Sequence, residues 1–252
     1  MDKVTVHLLT PSEYVLARES YSYSDEECPF EIVPVPGLNC SGSYQGIFAK
    51  TVPEVWRNGI NLRRFEEIIQ EVFLNTHEAN CQGRLTAFHK TNLREVTKAI
   101  VHWKNASQGR TDHIVKQLLL QKWDDVRGVR KLLEAYTTWS IKEFMIPGVA
   151  IPTASTFLRF LNPIHYGVID SKVVQLTQAN GITQMSIRGD GYINNTPKNI
   201  KKYYEEYLVF LYSEAEWLND VGATFQDVSS LGLPYKSQFR ACDVEMALWQ
   251  RQ

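Results

Sequence analysis

Two stretches of the sequence carry residue types and spacings able to do chemistry. One is a tight turn, Ile146-Pro147-Gly148-Val149-Ala150, and the other an aspartate, Asp170, in Val168-Ile169-Asp170-Ser171-Lys172-Val173-Val174. Ser140 and Glu143 have the S-x-x-E spacing of a capping box, which predicts a short helix starting at 140. That helix must end at Ile146-Pro147-Gly148, because proline disfavours helix at the residue before it and glycine permits an open turn. A second helix is predicted from near Pro152, where a missing N–H costs least, with Ala154, Phe157, Leu158 and Leu161 inward and Asn162-Pro163 as its stop. Two helices joined this way form a helix-hairpin-helix. Its turn and its second helix point unpaired N–H groups outward at the positive end of a helix dipole, which is chemistry suited to a phosphate. The same pattern also describes an αα-hairpin that only packs. Asp170, for its part, is a good N-cap for a helix running on from Ser171.

The charge distribution points the same way. The chain has a net charge of -1, yet residues 84–131 hold 11 Lys+Arg against 4 Asp+Glu, while residues 1–83 hold 6 against 12. Such a basic block is the kind of footprint that neutralises phosphates, although a solvated helical face has the same composition. Within it Lys90, Arg94, Lys98 and His102 recur every fourth residue along one stripe, while Leu93, Val96, Ile100 and Trp103 line another.

The elements that must position these groups are mostly helical. Asn61 can cap a helix carrying Leu62, Phe65, Ile69, Val72 and Phe73, and Thr91-Asn92 can open the next. Asp112 and Asp124-Asp125 mark two further starts, and helices are predicted at 171–180, 198–218 and 237–250 after a Gly/Asn-rich break at 189–195. In the last of these, Val244, Leu248 and Trp249 face inward and Arg240 can pair with Asp243 or Glu245. Frequent helices with short turns imply a mainly α body spanning 61–252. Residues 1–60, rich in Pro, Gly, Ser and Tyr, are expected to be an irregular segment with short β-like stretches such as Val4–Leu9.

Composition narrows the class. With 252 residues, 44% hydrophobic and 22% charged, the chain can bury a core and is not a low-complexity scaffold. No apolar run reaches the roughly 18 residues of a bilayer span, and no secretory signal is read at the start. Cys28, Cys40, Cys81 and Cys242 sit far apart, so reduced thiols and a cytoplasmic, monomeric protein with no membrane contact are expected. There is no H-E-x-x-H, no G-x-x-x-x-G-K-[ST] and no G-x-S-x-G.

Together these residues resemble the helix-hairpin-helix DNA glycosylase superfamily, the endonuclease III-like fold, over roughly residues 93–178. Its members show a turn of the form L-P-G-V-G, a helix beginning K-T-A in the bifunctional branch, and an aspartate in a V-D or I-D context. Here the turn reads I-P-G-V-A, Pro152-Thr153-Ala154 follows, and Asp170 lies eighteen residues after Pro152, the family's lysine-to-aspartate spacing. Val96 to Asp112 is similar to the family's apolar helix ending in a polar, DNA-facing loop, here Trp103-Lys104-Asn105-Ala106-Ser107-Gln108-Gly109-Arg110.

The resemblance implies a monofunctional DNA glycosylase that flips a damaged or modified base out of double-stranded DNA and hydrolyses its N-glycosidic bond. Asp170 would be the catalytic carboxylate, stabilising positive charge on the sugar and orienting or deprotonating water. DNA contacts are expected from Pro147, Gly148, Val149, Ala150, Thr153, Lys104, Asn105, Ser107, Gln108, Arg110 and Lys172. Trp103, Tyr136, Trp139 and Tyr166 are the aromatics expected around an extruded base, with Phe144 a further candidate. The resemblance also implies a monovalent cation on the hairpin's backbone carbonyls. Pro152 stands where the bifunctional members keep a nucleophilic lysine, so lyase activity is not expected. Cys242 is the only cysteine after Asp170, so no iron–sulfur cluster and no other cofactor is expected either. The alternatives are a non-catalytic helix-hairpin-helix DNA-binding module and a helical protein whose basic block meets an acidic partner. Repair and defence against modified foreign DNA remain equally open as the role.

Overall fold

A computed structural model describes residues 7–21, 62–105, 139–145, 149–229 and 233–251. They are mainly helical: α1 (Pro11–Glu19), α2 (Leu62–Cys81), α3 (Ala87–Asn105), α4 (Ile141–Phe144), α5 (Ile151–Leu161), α6 (Ser171–Ala179), α7 (Pro197–Lys202), α8 (Leu208–Asp220) and α9 (Ala241–Gln250). A π-helical turn, Tyr203–Tyr207, joins α7 to α8. Two short strands, β1 (Phe225–Val228) and β2 (Pro234–Ser237), pair in a two-stranded sheet. None of the described helices is long and apolar enough to cross a membrane.

The chain divides into two compact units, one comprising Met1–Ser22, Asn162–Asp227 and Pro234–Gln252, the other Tyr23–Leu161 and Val228–Leu233. In the second unit α2, α3 and α5 pack on one another and α4 packs on α5. The apolar stripes read from sequence are the ones that meet: Phe65, Ile69, Val72 and Phe73 of α2 and Leu93, Val96 and Ile100 of α3 are buried, as are Ala154, Phe157, Leu158 and Leu161 of α5. Phe157 stacks on Phe144 with ring centroids 4.9 Å apart. An ion pair is sealed in this core. Arg159 is fully buried and its guanidinium lies 2.6 Å from the Glu66 carboxylate, over the Phe160 ring.

The first unit is built on α9, which packs against α1, α6 and α8. Eight successive residues of α9, Ala241 to Leu248, are buried, so this helix is enclosed on all sides rather than amphipathic. Its two acids are therefore inside. Asp243 is held by Arg18 (2.9 Å) and Arg240 (2.7 Å), while Trp249 stays half-buried at the end.

Several sequence expectations need correcting. The irregular N-terminal segment contains a helix, α1, with a complete capping box: Thr10 Oγ1 accepts from the Glu13 amide and the Glu13 carboxylate accepts from the Thr10 amide. The T-P-x-E spacing was a legible signal for it, with Pro11 at the first helical position. Helix α3 starts at Ala87 rather than at Thr91-Asn92, because Thr86 and His89 form the cap with a 2.8 Å contact between Oγ1 and Nδ1. The helix at 140 forms, but the Ser140 side chain makes no capping bond. The predicted helix 198–218 is interrupted by the π-turn, and β2 occupies the start of the predicted 237–250 helix. The cap at Asn61 and the starts at Asp112 and Asp124-Asp125 lie outside the described residues, as do Val4–Val6 and residues 22–60.

Candidate active site around Asp170

Asp170 is the N-cap of α6. Its backbone is extended, with φ -111° and ψ 143°, and its Oδ1 accepts from the Lys172 amide at 2.9 Å. The side chain is half-buried, so it keeps a path to solvent. The residues leading into it, Gly167, Val168 and Ile169, are buried, and two phenols hold them. Tyr203 Oη donates to the Gly167 carbonyl at 3.1 Å, and Tyr207 Oη donates to the Val168 carbonyl at 2.8 Å. Both tyrosines belong to the π-turn and their rings stack 6.0 Å apart.

Gly167 is demanded by space. A Cβ there would lie 2.4 Å from Leu211 Cδ1 and 3.1 Å from Glu245 Cβ. The segment into Asp170 thus lies close against α8 and α9 at Gly167, with a buried carboxylate, Glu245, beside it. Burial raises the Tyr207 phenol well above its ordinary range, and the charges of Glu245 and then Asp170 push it further, while a hydrogen bond to the Asp170 backbone opposes them. Burial likewise raises Tyr203, followed by Tyr204, Tyr166 and Glu245. Tyr166 is half-buried and pushed up to about 12, first by burial and then by Tyr204. The result is a carboxylate at a helix N-terminus with neutral phenols packed behind it. Such a carboxylate can accept a proton from water or face a developing cation.

Of the residues expected from sequence, Asp170, Lys172 and Tyr166 fall in this one unit. The Lys172 ammonium sits 4.6 Å above the Trp249 ring, a contact that uses its positive charge. The others described belong to the second unit. There Val149 is 1% and Thr153 5% exposed, so neither residue presents an open surface to a phosphate, against the sequence expectation. Ala150 acts as the N-cap of α5, its carbonyl accepting from the Ala154 amide. The amides of Ile151 and Thr153 lie in that helix's first turn, where helix geometry supplies no acceptor.

Trp103 is half-buried and packs edge-on against Phe160 at 5.0 Å, with the Arg159 guanidinium 5.5 Å from its ring, so it serves the core of its unit. Lys104 is half-buried near the end of α3, and Asn105 is its last residue. Phe144 is fully buried and is core. Trp139 is half-buried with φ at 53°, a left-handed conformation costly for a bulky residue, just ahead of α4. Pro147, Gly148, Ser107, Gln108, Arg110, Tyr136 and the Asn105 side chain lie outside the described residues, as do the turn carbonyls at 146–148 on which a monovalent cation is implied. Among the described residues no group of three or more His, Cys, Asp or Glu converges as metal ligands do.

Sequence reasoning missed Tyr203 and Tyr207 and named Glu245 only as a partner for Arg240. The available signals were the Y-Y-E-E-Y run, which sets two aromatics four residues apart, and a glutamate on the otherwise apolar face of the closing helix. Comparison of the chain with protein-family models, with curated proteins and with solved structures finds no match in any of the three.

Proposed function

We propose that the chain is a monofunctional DNA glycosylase acting on a damaged or modified base in double-stranded DNA. The observation that carries this reading is Asp170 itself. The aspartate at the motif-matched position heads α6, stays half-buried and sits on a backbone segment clamped by two buried phenols. The sequence support is the I-P-G-V-A turn, the eighteen-residue spacing and the basic block at 84–131.

In the reaction the C1′–N bond breaks and its electron pair leaves with the base. Water adds its oxygen to C1′ and its proton passes to the Asp170 carboxylate. That carboxylate also faces the positive charge of the sugar while the bond is open. The basic block at 84–131 is the expected source of phosphate contacts. Pro152 has no amine able to attack the sugar, so the product is an intact abasic site. A second reading has one observation in its favour: capping α6 is by itself a sufficient role for Asp170. On that reading the chain binds DNA without chemistry.

The test is a panel of duplexes, each with one modified base, scored for alkali-labile abasic sites with wild type and Asp170→Asn in parallel. Asparagine caps a helix about as well as aspartate, so the variant should fold and bind DNA as wild type does. Excision should fall by about 10²–10⁴-fold, the usual contribution of a general base, and borohydride should trap no covalent complex. Excision retained by Asp170→Asn refutes the assignment. Salt-dependent binding with no abasic product on any duplex establishes the second reading.

A further inference from the structure

The π-turn is the least regular part of the helical framework, and it meets the chain next to Asp170. Helices usually continue without such turns, and the π-turn, where it occurs, is frequent at functional sites. Here it lies within one long helical run, and Tyr203 and Tyr207 both reach the segment entering α6. Their hydroxyls take the successive carbonyls of Gly167 and Val168. Those carbonyls would otherwise be buried polar atoms in an extended segment with apolar neighbours. Leu211 and Glu245 crowd Gly167 closely enough that even a Cβ there would collide, so the segment has little room to shift. Val168 is two residues from Asp170, and rotation of that backbone would swing the carboxylate.

We propose that Tyr207, with Tyr203 beside it, is a positioning residue that fixes the direction of the Asp170 carboxylate for attack at the sugar. The proposal rests on the glycosylase reading and deepens it: the reactive group ends a short buried segment whose carbonyls are held by phenols from the π-turn. Tyr207 is the more important of the two, since its bond is shorter and one residue closer to Asp170. That the Asp170 charge helps raise the Tyr207 phenol agrees with that proximity.

Tyr207→Phe removes one oxygen and keeps the ring. Single-turnover excision on the best duplex of the panel, measured over a range of enzyme concentrations, separates the maximal rate from the half-saturating concentration. The expected result is a maximal rate lower by about ten- to hundredfold, the cost of a small misplacement of a reacting group. The half-saturating concentration should stay within about twofold of wild type, because Tyr207 holds no phosphate. Tyr203→Phe should lose less. Wild-type rates in Tyr207→Phe, beside an inactive Asp170→Asn, overturn the proposal and leave the glycosylase reading standing. A rate that returns to the wild-type value when both proteins are assayed well below their melting temperatures shows loss of folded protein alone, and also overturns it. Absence of excision by wild type on every duplex overturns the glycosylase reading and takes this proposal with it.

Discussion

Replacing Gly167 by alanine isolates the packing that supports Asp170. The glycine's φ is not left-handed, so alanine strains no backbone torsion and the whole effect comes from space. Its methyl would stand 2.4 Å from Leu211 Cδ1, against about 3.5–4.0 Å for an ordinary carbon contact. Something must therefore move by about 1 Å. Leu211 is fully buried, and Glu245 Cβ, at 3.1 Å, is tied to the backbone of α9. Overpacking of this kind costs about 1–3 kcal/mol. For a chain of this size each kcal/mol lowers the melting temperature by about 2–4 °C, so a loss of about 4–8 °C is expected at the middle of that range. Thermal melting followed by circular dichroism reads this directly. Leu211→Val shortens the clashing side chain at a cost on the order of 1 kcal/mol. The double variant should melt above the value that adding the two losses gives, since the second change relieves the first. A Gly167→Ala protein that melts with wild type, or strict additivity in the double variant, would refute the account of this contact.

Two further perturbations follow from groups sealed in the cores. Tyr203 and Tyr207 are raised well above 10.0 by burial, so folding keeps them protonated while the unfolded chain ionises them near pH 10. Their contribution to stability is whole below pH 10 and declines as pH rises toward the folded values, by about 1.4 kcal/mol per pH unit for each phenol. Tyrosinate absorbance should lag for these residues until structure is lost; all tyrosines titrating near pH 10 in folded protein would contradict their burial. In the other unit, Arg159→Ala leaves buried Glu66 with the longer Arg63 contact at 3.7 Å in place of its 2.6 Å partner, and should cost about 3 kcal/mol, the low end for a broken buried pair, in urea unfolding. Arg159→Met combined with Glu66→Leu should recover most of that loss, and a single variant as stable as wild type would show that the pair is not sealed.

Much of the framework was readable because local rules dominate it. The stripes of α2, α3 and α5 bury the residues that their spacing assigned to the core, and Pro152 and Asn162-Pro163 bracket α5 as their backbone restrictions require. Asp170 as the cap of α6 was legible for the same reason: a short acceptor one residue before a helical run satisfies an orphan amide. The failures have equally local causes. Helix α1 was hidden by a Pro- and Ser-rich neighbourhood although its capping box was intact, and α3 uses a Thr-His cap that stands outside the usual acidic pattern.

What the chain's order of residues determines alone is therefore the helical class, the hairpin pattern, the basic block and the aspartate that heads α6. Each depends on interactions within a few residues along the chain. Only tertiary structure decides what surrounds Asp170, because Gly167 and Val168 meet Tyr203, Tyr207, Leu211 and Glu245 across 36 to 78 residues of intervening chain. Periodicity reports which face of a helix is apolar, but not which carbonyl a phenol on that face will reach. That choice is made by close packing, where a 2.4 Å conflict at one missing methyl and two buried carbonyls in need of donors leave the segment one arrangement.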